Sequence, residues 1–379
     1  MTIIFFSRLF YPHIGGVETH VLEVGKRLVR KGHRVIVITE EYQSKAESAK
    51  ATGEVEGVKI HRIDVGREIY FSFGKLRINK KKFRIWWWLW QHKDLIKNAD
   101  IVHCHDVFFW YLPFRFLYPK KKVFTTFHGY ETKFPPSKKA ILVRKVSEKL
   151  SWGNICVGEY VEKWYHTKPD YVTYGGVNII ENQKSKIKSQ NHNSKFKILL
   201  IGRLEEDTGI LIYLKVLDVL KNRKISFGFE ACGNGSLRRS VEQYGKVHGF
   251  VKDMDKYIER SDFVFTSSYL SILEAISRGK IVFSVFQNKL KEDYLKMSPF
   301  AKWIVIKSSA KDLADKILYF IKHHEEKEKI ANTAFEWVKT QTWDNVVGEY
   351  LKLWKTKDVH LGGVEVVASP PSEVFPVKQ

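Results

Sequence analysis

The stretch from Val264 to Gly279 reads VFTSSYLSILEAISRG, and its pattern decides the fold that we predict. Phe263 to Phe265 form a strand-like apolar run, and Ser271 to Arg278 have the spacing of a helix. A helix that begins directly after a strand presents unpaired backbone N–H groups and the positive end of its dipole, so anions bind there. Glu274, in the first turns of this helix, supplies the acceptor oxygens that ribose hydroxyls need. The stretch therefore predicts a strand–turn–helix unit that binds a nucleoside diphosphate, although helix starts with a glutamate also serve purely structural roles.

The whole chain alternates short apolar strands with longer amphipathic segments, which is the pattern of βαβ units and a parallel sheet. The predicted strands are Thr2–Ser7, Arg34–Thr39, Val58–Ile63, Asp100–His103, Val123–Phe127, Asn154–Val157, Phe196–Ile201, Ser226–Ala231, Phe263–Phe265 and Ile281–Val285. The predicted helices include Val17–Arg30, Phe83–Lys97, Ser137–Ser151, Lys311–Lys322, Glu326–Lys339 and Asp344–Trp354.

Two composition changes divide the chain. Residues 181–195 are polar and charged, which predicts a linker between residues 1–180 and a second domain at 196–341. Residues 358–379 contain three prolines and have no helical period, so we expect a poorly ordered tail. Two doubly wound α/β domains in tandem form a cleft where the carboxyl ends of their strands meet, and ligands bind at those ends.

The composition limits the class of protein and its partners. A length of 379 residues fits two domains, and the net charge of +22 implies an anionic partner. The three scattered cysteines favour a reducing compartment, and the chain shows no signal peptide and no membrane span. We therefore expect a cytoplasmic protein. No RNA-binding or DNA-binding motif is present, so nucleic acid is not the expected partner.

Three glycine turns follow predicted strands and lead into helices. They contain Gly15-Gly16, Gly202-Arg203 and Gly233-Asn234, and such turns let the backbone approach a phosphate closely. Arg203 can clamp a diphosphate through its guanidinium, or it can pair with Glu205 or Asp207 within its own loop. A single Gly-Gly pair is more often a flexible loop, but three such turns in one chain favour a phosphate site.

Some histidines and aspartates have the spacing of metal ligands. His103 and His105 face the same side of a strand, but no further cluster completes a set of ligands, so we predict that no metal is bound. Asp253 and Asp255 resemble a metal–diphosphate motif, but they precede a short amphipathic run and are interpreted as helix caps. His128 lies just past a strand end, where it either bonds a substrate or serves as a structural turn residue.

One segment of the first half combines tryptophans with basic residues. Asn79 to Asn98 reads NKKKFRIWWWLWQHKDLIKN, and on a helix its apolar residues cannot all face one core. Basic, aromatic helices favour the bilayer interface, whereas the alternative is a helix packed on the sheet with one or two exposed tryptophans. The residues predicted to contact an anionic membrane or the acceptor are Lys81, Lys82, Arg84, Trp86, Trp87 and Trp90.

Taken in order, several short motifs give the chain a resemblance to a known family. They are FYPHIGGVETH, DIVHCHD, TTFHGYE, YGGVN, GRLEEDTG, ACGNGSLR, HGFVKD and YLSILEAISRG. Over nearly its whole length, up to about Lys355, the chain resembles the retaining glycosyltransferases of the GT-B fold in the family 4 group. The resemblance implies two Rossmann-like domains, an N-terminal acceptor domain and a C-terminal nucleotide-sugar domain. It also implies a final helix at 342–357 that crosses back to the first domain.

The resemblance also implies roles for individual residues. His128, Arg203 and Glu274 are expected at the catalytic centre, where they approach the transferred sugar, the phosphates and the ribose. A nucleotide-diphosphate sugar is the implied co-substrate, with no other cofactor and no required metal. The residues expected to contact this donor are Gly15, Gly16, Arg203, Gly233, Asn234, Tyr269, Leu270, Ser271 and Glu274.

Two positions depart from the family pattern. Thr266 stands where the first glutamate of the Glu-x7-Glu motif is expected, and Thr208 replaces the phosphate-binding lysine after Arg203. The predicted function is transfer of a sugar to a lipid-linked, glycolipid or polysaccharide acceptor at the inner face of the cell membrane. The alternative is a weak or inactive GT-B-like binding protein that uses its basic face on a membrane or nucleic acid.

Overall fold

The structure is a computed structural model that describes residues 1–41, 52–66, 70–73, 76–129, 134–179 and 195–359. Side chains are described for these ranges except 70–73, 76–80 and 357–359. The predicted linker, apart from Lys195, and the predicted tail from residue 360 onward lie outside the described residues.

An eight-stranded sheet forms the first half of the molecule. Its strands are β1 Thr2–Ser7, β2 Arg34–Glu40, β3 Thr52–Val55, β4 Val58–Ile63, β7 Ile101–His105, β8 Lys122–Phe127, β9 Gly153–Val157 and β10 Tyr171–Thr173, and a separate hairpin pairs β5 Tyr70–Phe73 with β6 Leu76–Asn79. The strand order is β10-β9-β8-β7-β1-β2-β4-β3, and all neighbours are parallel except β3 and β4. The order reverses between β1 and β7, which is where a doubly wound sheet opens a crevice for a ligand.

In the described part of this half, six helices connect the strands. They are α1 Gly16–Arg30, α2 Lys80–Gln91, α3 Lys93–Asn98, α4 Phe108–Leu117, α5 Lys138–Leu150 and α6 Tyr160–Tyr165. The predicted single helix Phe83–Lys97 is in fact two helices, because the backbone at His92 leaves the helical region. Helix α1 covers one face of the sheet, and α2, α3 and α4 bury their apolar residues on the opposite face.

A six-stranded parallel sheet forms the second half. Its strands are β11 Phe196–Ile201, β12 Phe227–Cys232, β13 Lys246–Val247, β14 Phe263–Phe265, β15 Ile281–Val285 and β16 Val305–Lys307. Its helices are α7 Ile210–Asn222, α8 Arg238–Glu242, α9 Asp255–Glu259, α10 Tyr269–Ile276, α11 Lys289–Lys296, α12 Ala310–Lys322 and α13 His324–Val338. The strand order β13-β12-β11-β14-β15-β16 is that of the dinucleotide-binding fold. The predicted class, two doubly wound domains, is confirmed.

The last described helix, α14 Trp343–Val359, returns to the first half. Its apolar face packs against α1 and the first sheet, and the residues that carry this contact include Trp343, Val346, Val347, Tyr350, Leu353 and Trp354. The two connections between the halves lie side by side, because Val177 donates its backbone N–H to the carbonyl of Gln341 at 2.8 Å. No helix among the described residues is long and apolar enough to cross a membrane.

Candidate active site

Two glycine turns meet at the carboxyl edge of the second sheet. Gly202 follows β11 with a φ of 140°, and Gly233 follows β12 with a φ of 152°. A Cβ on Gly233 would overlap the carbonyl oxygen of Gly202, so only glycine fits there. The backbone N–H of Leu204 donates to the carbonyl of Asn234 at 2.9 Å, which holds the two turns together. These contacts place Gly233 and Asn234 beside Arg203.

Arg203 extends from this edge into solvent. Its side chain is 56% exposed, and its Nη2 lies 2.8 Å from Oδ2 of Asp207. Of the two partners considered from the sequence, the structure therefore selects Asp207, whereas Glu205 accepts the backbone N–H of Ser236 at 2.9 Å. An exposed ion pair of this kind contributes only about 0–1 kcal/mol, so a diphosphate can compete for the guanidinium.

The start of α10 faces the same edge. The helix begins at Tyr269, two residues before the predicted start, and the side chain of Ser268 makes no cap hydrogen bond. The Tyr269 N–H donates to the hydroxyl of Tyr294 at 3.0 Å, and the Tyr269 ring is buried. Of the predicted donor-binding residues, Leu270 and Ser271 follow in the first turn, where backbone N–H groups point out of the helix.

Glu274 lies in the second turn of α10 and is half-buried. Burial raises the pKa of this carboxyl to about 7, the nearby charge of Asp255 adds to the rise, and Arg278 opposes it. Asp255 is itself held by Arg278, with Oδ1 2.8 Å from Nη2. The interpretation of the aspartates as caps was wrong, because the cap position of α9 is Met254 and Asp255 is the first residue of the helix.

The first sheet presents its own turn to the cleft. Gly15 is the N-cap residue of α1, and a Cβ on Gly16 would meet no atom within 4 Å. Glu18, in the first turn of the helix, lies against Gly15 and pairs with His13 at 3.0 Å. The space beside Gly16 is therefore open, as a loop that touches a diphosphate requires.

His128 belongs to a buried histidine cluster, which comprises His20, His103, His105 and His128. His128 follows β8, and its Nε2 lies 2.8 Å from Nδ1 of His105. Its backbone N–H donates to Oδ1 of Asp106 at 3.0 Å, and the centroid of its ring lies 4.7 Å from that of the His20 ring. The sequence predicted that His103 and His105 face one side. It gave no prediction for His20. The one signal in the sequence was that His20 lies four residues after Gly16, in the helix that begins at the glycine turn.

A chain of hydrogen bonds runs through this cluster from α14. The indole of Trp354 only donates, so Nδ1 of His103 accepts at 3.1 Å and Nε2 donates to Thr126 at 2.7 Å. Thr126 bonds the hydroxyl of Tyr350 at 2.9 Å, and this hydroxyl bonds Nε2 of His20 at 3.0 Å.

Burial lowers the pKa of all four histidines, that of His20 to about 3, so the cluster is neutral near pH 7. Among the described residues, no group of three or more histidine, cysteine, aspartate or glutamate side chains could hold a metal ion.

Helix α2 separates the predicted membrane residues into two faces. Ile85 and Leu89 are buried on the sheet, and Trp86 is half-buried with its indole N–H donated to the carbonyl of Phe109 at 3.0 Å. Phe83, Trp87 and Trp90 lie on the outer face and are 57%, 64% and 50% exposed. Lys82 and Arg84 are exposed beside them, whereas Lys81 binds Glu40 at 2.7 Å.

The start of α2 lies close to the cleft. Glu40, the partner of Lys81, is the last residue of β2 and so marks the carboxyl edge of the first sheet. The exposed stripe of α2, formed by Phe83, Trp87 and Trp90, therefore begins near the cleft and leads away from it.

A second apolar surface, which the sequence did not reveal, lies on α5. Leu142, Val143 and Val146 are exposed there, and the exposed lysines Lys138, Lys139 and Lys149 flank them. Helix α5 contacts α4, and α4 contacts α2, so both surfaces lie on the same face of the first sheet. In the sequence, these lysines alternate with apolar residues at helical spacing. That pattern indicates an amphipathic helix but does not show which of its apolar residues are exposed.

Comparison with protein families matches both halves of the chain. Residues 14–179 match the model described as Glycosyltransferase Family 4, and residues 181–337 match the model described as Glycosyl transferases group 1. Together the two matches extend over most of the sequence. The division between them falls where the structure passes from the first sheet to the second.

Individual relatives are more distant. A human relative, which is one of the subunits of phosphatidylinositol N-acetylglucosaminyltransferase, is 40% identical over 108 residues, or 27% of this chain and 19% of that protein. The gpi3 subunit of the same transferase from Schizosaccharomyces pombe is 28% identical over 99 residues, or 26% of this chain and 20% of that protein. The chain thus matches only about a fifth of the length of these curated relatives.

Solved structures match almost throughout. A glycosyltransferase from Rickettsia africae has a TM-score of 0.65 at 19% identity, with 94% of this chain and 98% of that chain covered. TarM from S. aureus has a TM-score of 0.67 at 13% identity, with 93% of this chain and 99% of that chain covered. Its structure was solved in complex with fondaparinux, alpha-GlcNAc-glycerol and UDP.

Proposed function

The chain belongs to the GT-B glycosyltransferases with a family 4 half and a group 1 half, and from this premise we propose that it is a retaining, nucleotide-sugar-dependent hexosyltransferase. The observation that carries the proposal is the convergence of Arg203, the start of α10 and Glu274 on one edge of the second sheet. That edge offers a guanidinium and backbone N–H groups to a diphosphate and a carboxylate to a ribose.

Charge development explains why these groups serve catalysis. As the bond to the anomeric carbon breaks, negative charge grows on the leaving nucleoside diphosphate. The N–H groups of α10 are fixed before the reaction, and fixed dipoles aimed at developing charge lower the barrier without reorganising, whereas Arg203 would exchange Asp207 for the diphosphate. His128 lies across the cleft at the edge of the first sheet, where it would orient the transferred sugar beside the acceptor hydroxyl.

The acceptor that we propose is lipid-linked or glycolipid in nature and is reached at the cytoplasmic face of a membrane. The exposed aromatic and basic stripe of α2 supports this proposal, because tryptophan favours headgroup depth and lysine and arginine favour anionic lipid. The stripe starts near the cleft, so docking through it brings a membrane-borne hydroxyl towards the donor. The curated relatives include subunits of a phosphatidylinositol N-acetylglucosaminyltransferase, which fits an acceptor of this class.

A thermal-shift screen of UDP-, GDP-, ADP- and dTDP-sugars tests the donor site. A ligand at 100 times its dissociation constant raises the free energy of unfolding by roughly 2.7 kcal/mol, which a melting curve detects. The donor that binds is then incubated with the protein and a lipid extract, and the anomeric configuration of the product is read by NMR. A product with inverted anomeric configuration would contradict the proposed retaining mechanism. The absence of binding by any of these sugars would contradict the proposed donor site.

A second candidate is a GT-B-like binding protein without turnover. The observation that favours it is the engagement of two threonines within their own turns. Thr208 donates to the carbonyls of Arg203 and Glu205, and Thr266 accepts the N–H of Ser268 at 3.4 Å. Measurement of donor hydrolysis separates the candidates, because a pure binding protein retains the nucleotide sugar intact.

A further inference from the structure

The loop after Arg203 lacks a second cation for a diphosphate. Thr208 stands where the family resemblance leads us to expect a lysine. Its hydroxyl donates to the carbonyl of Arg203 at 2.8 Å and to that of Glu205 at 2.7 Å. This side chain therefore closes its own loop. A diphosphate carries more charge than Arg203 alone balances, so a second cation at the same edge would complete the site.

Lys291 is a cation at this edge that belongs to a different element. It lies in the first turn of α11, directly after β15, and β15 pairs with β14, the strand that leads into α10. Although it is a lysine, it is only 8% exposed. Its Nζ donates to the carbonyl of Ser267 at 2.6 Å and lies 3.8 Å from the ring centroid of Tyr294. These contacts fix the ammonium at the turn that starts α10.

We propose that Lys291 supplies the second cation for the donor diphosphate and so takes the place of the lysine missing at position 208. The proposal rests on the donor site described under the proposed function. Ser267 precedes Ser268, the N-cap residue of α10, so an anion at the start of this helix lies beside the lysine that holds Ser267. A buried lysine beside a helix start gains from an anion bound there, because the positive end of the helix dipole disfavours the charge of the ammonium.

The electrostatics around Lys291 agree with this role. Burial lowers the pKa of its ammonium to about 7, Asp207 raises it, and Arg203 lowers it further. Beyond these two charged groups from the loop after β11, the lysine faces Tyr294 on its own helix and the Ser267 turn, where Tyr213 bonds the serine hydroxyl at 2.8 Å. A diphosphate that arrives beside Lys291 stabilises the charged form, so binding near neutral pH takes up a proton.

The test compares variants by isothermal titration calorimetry with UDP, GDP, ADP and dTDP as probes. Lys291→Met is expected to weaken the diphosphate that binds by about tenfold or more, the effect of losing a hydrogen bond to a charged group. The matched control is Lys289→Met, because Lys289 lies on the same helix but is exposed and pairs with Glu292 at 2.9 Å. This control should leave affinity unchanged.

Rescue and proton linkage give the sharper readouts. Thr208→Lys in the Lys291→Met background should restore most of the lost affinity. Lys291→Arg should retain affinity but lose the proton uptake, which titrations near pH 7.5 in buffers of different ionisation enthalpy reveal. Melting temperatures of all variants are recorded, and Lys291→Arg provides a folded comparison should Lys291→Met prove unstable.

The outcomes separate this inference from the proposed function. Unchanged binding by folded Lys291→Met overturns the inference alone. A loss that Thr208→Lys does not restore, with proton uptake the same in wild type and Lys291→Arg, overturns it as well and assigns Lys291 a structural role. If the wild-type protein binds none of the four diphosphates, both the proposed donor site and the role of Lys291 are contradicted.

Discussion

The indole N–H of Trp354 donates to Nδ1 of His103 at 3.1 Å and so joins residues 251 positions apart in sequence. The tryptophan lies on the last described helix, α14, and the histidine on β7, at the centre of the first sheet. Because indole cannot accept, this contact sets the tautomer of His103 and the direction of the hydrogen bond to Thr126.

Trp354→Phe should destabilise the protein although it keeps an aromatic ring. The change leaves Nδ1 of His103 buried without a donor, which costs about 1–3 kcal/mol, and the smaller ring leaves a cavity. Urea unfolding measures the loss. Trp303→Phe, at a half-buried position in the second half, is the control, and an equal loss there would assign the effect to ring size alone.

The buried histidine cluster predicts a loss of stability in acid. The folded-state pKa of His20 is lowered from 6.5 to about 3, so between these values the unfolded chain binds more protons and stability falls as the pH falls. Each such histidine contributes up to about 1.4 kcal/mol per pH unit in that window. His20→Gln should reduce the slope of the unfolding free energy against pH in this window by about 1.4 kcal/mol per pH unit, the effect of one proton. Parallel slopes for wild type and His20→Gln would show that His20 is charged in the folded protein.

Arg203→Ala and Glu274→Ala should each weaken nucleoside diphosphate binding at least tenfold without unfolding the protein. A hydrogen bond to a charged group contributes about 1.5–3 kcal/mol, and both residues lie at the proposed donor edge. Calorimetry measures the affinity. Arg223→Ala removes another arginine that pairs with an aspartate in the same half, and it should bind normally. Normal binding by both test variants would remove the proposed donor site.

Sugar transfer should persist in EDTA. Arg203 and the N–H groups of α10 provide the positive charge that a metal supplies in other transferases, and Asp255 is already paired with Arg278. Initial rates are compared in EDTA and in added Mg²⁺ or Mn²⁺. Complete loss in EDTA with recovery by either metal would show that Asp253 and Asp255 bind a metal–diphosphate after all.

Trp87→Ser with Trp90→Ser should reduce binding to anionic liposomes in co-sedimentation while the fold stays intact. Both rings are exposed on α2 beside basic residues, so the change removes short-range anchoring and leaves the attraction between charges. Wild-type binding should also weaken as salt screens the surface charge. Phe250→Ser, an exposed position in the second half, is the control. Equal sedimentation with neutral and anionic liposomes, or none with either, would exclude membrane docking through α2.

Strands could be predicted from the sequence where their own residues form a clear apolar pattern. Phe196–Ile201 and Ile281–Val285 are continuous apolar runs, and both strands have the predicted bounds. Edge strands such as β13 and β16 were missed, because two or three residues carry no period and are set by pairing with a neighbour.

The site was harder to predict, because its contacts join distant elements. The sequence placed Arg203 and Glu274 after the correct strands, but it gave no prediction for Lys291, since a lysine in an amphipathic helix is normally a solvent-facing residue. Its burial follows from the pairing of β14 with β15, and no local pattern shows that pairing. The partner of Arg203 was left open for the same reason.

The return of α14 to the first half has a consequence for synthesis on the ribosome. All eight strands of the first sheet have been made by Thr173, yet Val347, Tyr350 and Leu353, which complete its core, are made only after all strands of the second sheet. A nascent chain stalled within the second half therefore leaves part of that core bare. The first half emerges early but matures late, because the apolar surface that α14 covers stays bare until that helix has been made.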